Sequence, residues 1–471
     1  MTHKREKKIV GQWRLVWVLG LALLWCLATP AQALKAEHRE VLPNGVTLMV
    51  SPTLASPTVS INIFVKVGSF EEDSSISGIS HFYEHLFFRG TASMHGQQFK
   101  RSLEAIGGNA NANTNRDYTH FFVNLPKEKV KEGIALMADA YLNSQLDPEA
   151  IDQERKAVLE EYNMGQDNPQ RLIYDRVYSL AYGDNHPYSL PIIGTEQNIR
   201  NFQREDFMRF RETFHTPERT TVVVVGDVNL QEILPLLRQS FGSFHRSSGK
   251  SMRRAAAIPA PTQPVEDVMN FHLKNCLLML GFPGPCVHDK PDIYRMDVAM
   301  FLLGIGRSSL LEREVVDKEL ALNAGADFLT QRFPGMLIVY AVSKPEKEKE
   351  AREALLGAID KLKQGNFSER DVRRAKAFLC SNFDLGNESN AGKASSLGFY
   401  ASVGEEAFPA DYTKRIREVS AADVTAVAKK YFGNGYYSVT MRDTQPEVKR
   451  HSKLDDYDNM GRRKRSAGGW W

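Results

Sequence analysis

Two histidines and a glutamate crowd one short stretch: His81, Glu84 and His85 stand within the run GISHFYEHLFFRG at 78–90. In a helix, at about 100° per residue, these three side chains fall within one third of the circumference. Ile79, Phe82, Tyr83 and Leu86 then take the opposite side. Such a helix buries its apolar face and aims two imidazoles and a carboxylate off the other. Imidazoles at i and i+4 can grip one Zn²⁺, and a glutamate just before the second is placed to act as a general base. The order His-x-x-Glu-His inverts the commoner zincin motif. The competing reading makes His81 and His85 polar surface residues of an amphipathic helix. Ser77 is placed to cap this helix and Gly90 to end it.

A catalytic zinc takes three protein ligands and leaves the fourth position to water. The run ERKAVLEE at 154–161 offers Glu154 and Glu161, which lie two turns apart and hence on the same helix face. Taken by itself, that run also reads as a solvated charged face. Likewise GGNANANT at 107–114, taken by itself, reads as a Gly/Asn-rich turn.

The elements that must hold these side chains occur twice in the chain. Glu149, Lys156, Ala157 and Leu159 recur in type 220 positions later as Glu369, Lys376, Ala377 and Leu379, with Ala375 in place of Arg155. Each half closes alike, with a helix starting near an aspartate (Asp206, Asp423), an aromatic end (Phe214, Phe432) and then a strand. The β-branched run 221–225, stopped by Gly226, is the first of those strands. VSINIFVKV at 59–67 alternates as a half-buried strand does. Between the halves, Arg, Ser and Gly give way to Pro259, Pro261 and Pro264, which read as an extended linker. Strands and long helices fall in separate runs, so the fold class is α+β. The expected plan is a leader 1–33, a first domain 34–244, a linker 245–266, a homologous second domain 267–442 and a tail 443–471. Both domains are expected to be α/β sandwiches, each a sheet packed with helices. No His-x-x-Glu-His occurs in the second half, where Arg374 and Ser381 stand at the places of Glu154 and Glu161.

Together these blocks resemble the pitrilysin/insulinase family of inverted-motif zinc peptidases, and most of all its short bacterial, processing-peptidase-like members. The likeness runs from about Glu40 to Arg442. Beside the motif it rests on VGSFEE at 67–72, LFFRGT at 86–91, HPY at 186–188 and VGDV at 225–228. The resemblance implies that His81, His85 and Glu161 hold Zn²⁺ and that Glu154 supports the site from one heptad earlier. It implies that Glu84 is the general base for hydrolysing peptides or unfolded polypeptides, with no covalent intermediate. It also makes 107–114 an edge strand, whose Asn111, Ala112 and Asn113 pair with an extended substrate by strand addition.

The second half departs from that pattern. The family places a substrate-holding arginine and tyrosine there, and this chain has Leu310 and Leu322 instead. Leucine has no hydrogen bond to give, and Arg307 is out of register. One reading makes the chain the zinc-bearing subunit of a heterodimer whose homologous partner supplies the Arg/Tyr pair. A second makes it a catalytically weak structural or assembly subunit, and a third a self-sufficient homodimer. The complete set His81, Glu84, His85 and Glu161 favours the first over the second.

The 471 residues hold 60 Lys and Arg against 57 Asp and Glu, a net charge of +3 with 42% hydrophobic residues. This ordinary globular composition excludes a dedicated nucleic-acid binder. A mean hydropathy of -0.37 excludes a multi-span membrane protein. Lys4, Arg5, Lys7, Lys8 and Arg14 precede an apolar run from Leu15 to Ala28 and then Ala31-Gln32-Ala33, the three parts of a secretory signal peptide. The alternative is an uncleaved anchor, for which the run falls short of the ~20 residues that span a bilayer. Removing 1–33 takes away five basic and one acidic residues and leaves -1; the tail holds seven basic and five acidic, so the body is near -3. Export points to the periplasm, with either one disulfide, Cys276–Cys286 for instance, or three thiols at Cys276, Cys286 and Cys380. The tail ends in GRRKRSAGGWW and reads as solvated, with contact of Trp470, Trp471 and the basic cluster with an anionic membrane as the minor reading. His186 and His215 read as turn or core residues.

Overall fold

A computed structural model describes residues 34–444, apart from 95, 97, 246–251, 256, 257, 259 and 434. The expected leader 1–33 and the expected tail beyond Thr444 lie outside the described residues. Six strands form the first sheet: β1 (His38–Val41), β2 (Thr47–Pro52), β3 (Thr58–Val65), β4 (Asn109–Thr114), β5 (Thr119–Pro126) and β6 (Thr220–Gly226). Eight helices belong to the same half. They are α1 (Ile79–Leu86), α2 (Gln98–Ala105), α3 (Val130–Asn143), α4 (Pro148–Gln166), α5 (Pro169–Tyr182), α6 (Glu196–Asn201), α7 (Arg204–Phe214) and α8 (Leu230–Gly242). The second sheet has β7 (Val265–Asn270), β8 (Cys276–Pro283), β9 (Asn323–Phe328), β10 (Met336–Ser343) and β11 (Tyr437–Arg442). Its half adds α9 (Lys290–Gly304), α10 (Glu348–Lys363), α11 (Glu369–Gly386), α12 (Asn390–Val403), α13 (Phe408–Glu418) and α14 (Ala421–Tyr431).

The strand orders β2-β6-β3-β5-β4 and β7-β11-β8-β10-β9 correspond one to one, with β1 added at the outer edge of the first sheet. Each sheet has one parallel pair, β2 with β6 and β7 with β11. The other pairings are antiparallel. The repeat read from sequence therefore extends to topology. Its closing helices match in detail, because Asp206 in α7 and Asp423 in α14 each complete a capping box at N3. The boundary moves slightly: β7 starts at Val265, inside the stretch read as linker, because it pairs with β11 from Tyr437↔Val265 onward.

The half-buried reading of 59–67 needs correction. Strand β3 is buried on both faces from Val59 to Val65. One face meets helices of its own half, with Ile61 and Ile63 in a cluster with Phe82, Met137 and Phe207. The other face is covered by α12 of the second half, through Ala394, Leu397 and Ala401 against Met49, Phe64, Val223 and Val225. Small residues let that helix lie close. A Cβ on Gly398 would fall 2.0 Å from the Phe64 ring. The polar residues that suggested water bond to one another instead, His120 Nε2 with Asn62 Oδ1 at 2.8 Å and Asn62 Nδ2 to Ser60 Oγ at 2.9 Å. Helix α5 returns the exchange, setting Ile173, Val177 and Tyr178 against Leu277, Met279 and Val439 of the second sheet. Each half lends the other a helix.

A buried charge cluster ties the halves beside the site. Arg332 of the second half gives its backbone N–H to Asp117 at 2.9 Å and its guanidinium to Glu71 at 3.1 Å. Arg219 stands 3.6 Å from Glu71, and Tyr188 donates to Asp117 at 2.7 Å. All five side chains are buried. Among the described residues the three cysteines are free thiols, Cys276 and Cys380 buried and Cys286 partly so.

Candidate metal centre

Helix α1 starts on a carboxylate rather than a hydroxyl. Its N-cap is Gly78 at φ 96°, and the Glu72 side chain accepts from the N–H groups of Gly78 and Ser80 at 2.7 and 2.8 Å. Ser77, the expected cap, leaves its Oγ buried with no partner among the described residues. Glycine is required at 78 twice over, by its positive φ and because a Cβ there would meet the Ile193 carbonyl oxygen at 2.5 Å. Burial pushes the Glu72 carboxyl up to about 7. Beyond Leu86 a 3-10 turn, Phe87–Arg89, runs on to Gly90 at φ 112°, which ends the helical stretch as expected.

The predicted faces are those observed. Ile79, Phe82, Tyr83 and Leu86 are buried, and Phe82 packs edge-on against Phe207 with ring centres 4.8 Å apart. The other face meets α4, which opens with Pro148 and the Asp147 side chain accepting from Glu149 N–H. Between the two helices His81 Nε2 lies 3.6 Å from Glu161 Oε1, and His85 Nε2 lies 3.5 Å from Glu161 Oε2. One donor atom from each residue lies within 4.8 Å of the others, the single such cluster among the described residues. Donors arranged tetrahedrally at 2.0–2.1 Å from Zn²⁺ stand about 3.4 Å apart, so these three fit that ion.

Protonation suits the same role. Burial pulls His81 down to about 4, against the opposing influence of Glu161, which leaves a neutral ring with a lone pair at neutral pH. His85 turns Nδ1 to Glu154 Oε2 at 3.0 Å. With Nδ1–H donating there, Nε2 keeps its lone pair on the Glu161 side. Glu154 is 3% exposed, and its other oxygen faces the Arg89 guanidinium in an ion pair. Arg89 thus neutralises the carboxylate that orients His85.

Glu84 points from the same helix toward β4. Thr114 Oγ1 donates to Glu84 Oε2 at 2.5 Å. Burial raises the Glu84 carboxyl, and the Thr114 bond works against that rise. Strand β4 is the open edge of the first sheet, paired on one side with β5 from Asn109↔Asn124 to Thr114↔Thr119. The segment is a strand and not a turn. Asn109, Asn111 and Asn113 are exposed, alternating with the partly buried Ala110, Ala112 and Thr114. Asn111 Oδ1 accepts from Ala112 N–H at 2.8 Å, which marks that N–H as one facing the free edge. Asn111, Ala112 and Asn113 therefore sit on an edge open to another strand.

Sequence reading missed Glu72, Arg89 and Thr114, although each lies inside or beside a block it used. No spacing rule links 72 to 78, 89 to 154 or 114 to 84; only the fold brings them together. Leu310 is a core residue at 1% exposure, whereas Leu322 is 56% exposed. Arg307 lies on the surface, 3.5 Å from Glu312. His186 Nδ1 accepts from Tyr188 N–H at 3.1 Å in a turn, and His215 is buried beside Tyr83.

Known proteins are similar to this chain in fold and in sequence. The family model for Insulinase (Peptidase family M16) matches residues 48–196, and that for Peptidase M16 inactive domain matches residues 201–379. A Rickettsia felis protein named an uncharacterized zinc protease is 29% identical over 395 residues, covering 83% of this chain and 94% of its own. The zinc protease PqqE of Helicobacter pylori is 28% identical over 450 residues, covering 92% and 97%. The crystal structure of a protease from Helicobacter pylori superposes with a TM-score of 0.82 at 25% identity, over 87% of this chain and 100% of that one. A Pseudomonas fluorescens structure described as a peptidase M16 inactive domain gives 0.79 at 16% identity over 86% and 97%, a likeness of fold alone. With both halves matched in order, and the metal-type cluster inside the first, the chain belongs to peptidase family M16, the insulinase family.

Proposed function

We propose that this chain is an exported zinc-dependent endopeptidase acting on peptides or unfolded polypeptides, and the zinc-bearing subunit of a two-subunit enzyme. The observation that carries the reading is the convergence of His81, His85 and Glu161, with Glu84 alongside and an open strand edge next to it. Relatives named as zinc proteases support the choice of metal. When bound, zinc supplies a Lewis acid that polarises the scissile carbonyl and acidifies a water.

The chain's own residues do the rest. Strand β4 takes an extended backbone on its free edge, once Ala112 N–H leaves the Asn111 side chain for the substrate. Glu84, raised by burial, takes a proton from the attacking water and returns it to the leaving amine. Thr114 holds that carboxylate, while Glu154 holds the His85 ring through Nδ1. A Glu84→Gln variant is expected to bind zinc as the parent does and to lose peptide cleavage. Appreciable cleavage by that variant, with zinc measured, overturns the assignment.

A partner is favoured by what the second half lacks. Leu310 is buried and donates nothing, so no substrate-holding arginine comes from that position. Activity that appears only when a co-purified homologous chain is added supports the two-subunit enzyme; full activity of the chain alone supports a homodimer. An assembly role needs neither zinc nor Glu84, and zinc stoichiometry separates it. Export rests on the leader at 1–33, and the mature protein is expected in the periplasm, where cell fractionation would find it.

A further inference from the structure

The cleft beside Glu84 and His85 has a volume of 880 Å³ and runs along β4 back to Gly108. Its two walls differ in chemistry. One is the edge strand, uncharged from Asn109 to Asn111. The other is α2, which buries Phe99 and Leu103 one turn apart and leaves Lys100, Arg101 and Glu104 exposed. All three charged residues line the cleft, together with Phe88 and Leu103.

The remaining charges around it are engaged. Arg89 pairs with Glu154, which also holds His85, and Glu84 accepts from Thr114. Lys100 and Arg101 have no acid within ion-pairing distance among the described residues, and Glu104 is the only carboxylate on their helix. The α2 wall thus carries net positive charge within a body that is acidic overall. We propose that this cleft is a subsite for a carboxylate carried by the peptide, either a Glu side chain close to the scissile bond or a free C-terminus. A strand added to β4 sends every second side chain to the same side. A glutamate placed there lays its methylenes along Phe88 and Leu103 and its charge between Lys100 and Arg101. Solvent screens an exposed rim, so the expected preference over glutamine is about five-fold and falls with rising salt.

The subsite rests on the peptidase reading, so the test measures binding apart from cleavage. Zinc-loaded Glu84→Gln protein is titrated, by fluorescence anisotropy, with labelled peptides acetylated and amidated at their ends. The peptides carry a single Glu, Gln or Lys walked through the positions around the scissile bond, and a further set carries Gln with a free C-terminus. At one position Glu is expected to bind more tightly than Gln and Gln more tightly than Lys, the order weakening at high salt. Lys100→Glu with Arg101→Glu, both on the surface, should reverse that order. A gain that follows the free C-terminus also supports the subsite and identifies its source. Equal binding of Glu, Gln and Lys at every position, or no binding at all, overturns it. Cleavage of the same peptides by the parent protein is scored separately. A binding preference without cleavage refutes the peptidase reading and leaves the subsite standing.

Discussion

Helices α4 and α11 hold the same place in the two halves and use it differently. Helix α4 presents Glu154 and Glu161 to α1. At the corresponding places of α11, Arg374 pairs with Asp371 on its own helix at 3.2 Å. Farther along, Phe378 rests against Phe301 of α9 with ring centres 4.9 Å apart. What the helices share is scaffolding. Arg155 of α4 reaches the Phe202 carbonyl at 2.7 Å, and Lys376 of α11 reaches the Val419 carbonyl, also at 2.7 Å. Phe202 and Val419 follow α6 and α13 and lead into the two capping-box helices. The cation has moved by one position in the repeat while its task has stayed. The repeat thus specifies folding contacts, and the metal face is a local addition that the fold does without.

The largest expected effect comes from making the first half like the second. Glu161→Ser removes one of the three proposed metal donors and puts nothing in its place. Zinc affinity should fall by more than the 10–100-fold typical of losing a supporting residue, and cleavage should vanish. Thermal stability of the metal-free protein should hardly change, because Glu161 is 37% exposed on its side chain and packs no core. Retained zinc at one per chain would mean that the third donor lies elsewhere.

The next test asks whether the halves are separable copies. Arg332→Met leaves Glu71 and Asp117 buried with less compensation, and breaking a buried pair costs about 3–5 kcal/mol. Since α5 and α12 are exchanged between the sheets, urea unfolding should remain one transition at a lower midpoint. Two transitions, one for each half, would refute the interlock.

Glu154→Gln comes third. Arg89 keeps a polar neighbour, but the carboxylate that fixes His85 Nδ1 is lost. Zinc affinity should drop about 10–100-fold with the fold intact. Substituting Arg374, at the corresponding place in the second half, should leave zinc affinity unchanged, because it pairs with Asp371 on its own helix.

Much of this was legible in sequence wherever the signal was local. The faces of α1 follow from Ile79, Phe82, Tyr83 and Leu86 at helical spacing, and the starts of the two closing helices from Asp206 and Asp423. The edge position of 107–114 came from family likeness, since Gly and Asn alone suggest a turn. What stayed hidden depends on contacts between distant segments. Alternation at 59–67 pointed to one wet face, and only the fold puts Ala394, Leu397 and Gly398 over it. Ser77 looked like a cap because hydroxyls usually are, whereas Glu72 arrives from a preceding loop.

The smallest effect sharpens the comparison at the level of single protons. Each half holds one carboxyl largely away from water at the helix that packs on α4 or α11, the buried Glu72 at the start of α1 and the partly buried Asp297 within α9. Loss of water pushes both up to about 7, from ordinary values of 4.5 and 3.8. Between the ordinary and raised values the folded chain keeps a proton that the unfolded chain releases. Stability from these groups therefore falls as pH rises from about 4 to about 7 and is level above that. Their partners differ. Asp297 accepts from Tyr412 at 2.7 Å, so Asp297→Asn retains an acceptor and removes the titration. Its unfolding midpoint should change less across pH 4–7 than the parent's, with zinc affinity unaltered. Glu72 uses separate oxygens for Gly78 and Ser80, and an amide has only one to offer. Glu72→Gln should flatten the same pH range yet cost about 1 kcal/mol through the lost cap, and it should weaken zinc binding because α1 carries His81 and His85. Unchanged zinc affinity in Glu72→Gln would make Glu72 an acid held away from water like Asp297 and not a support of the site.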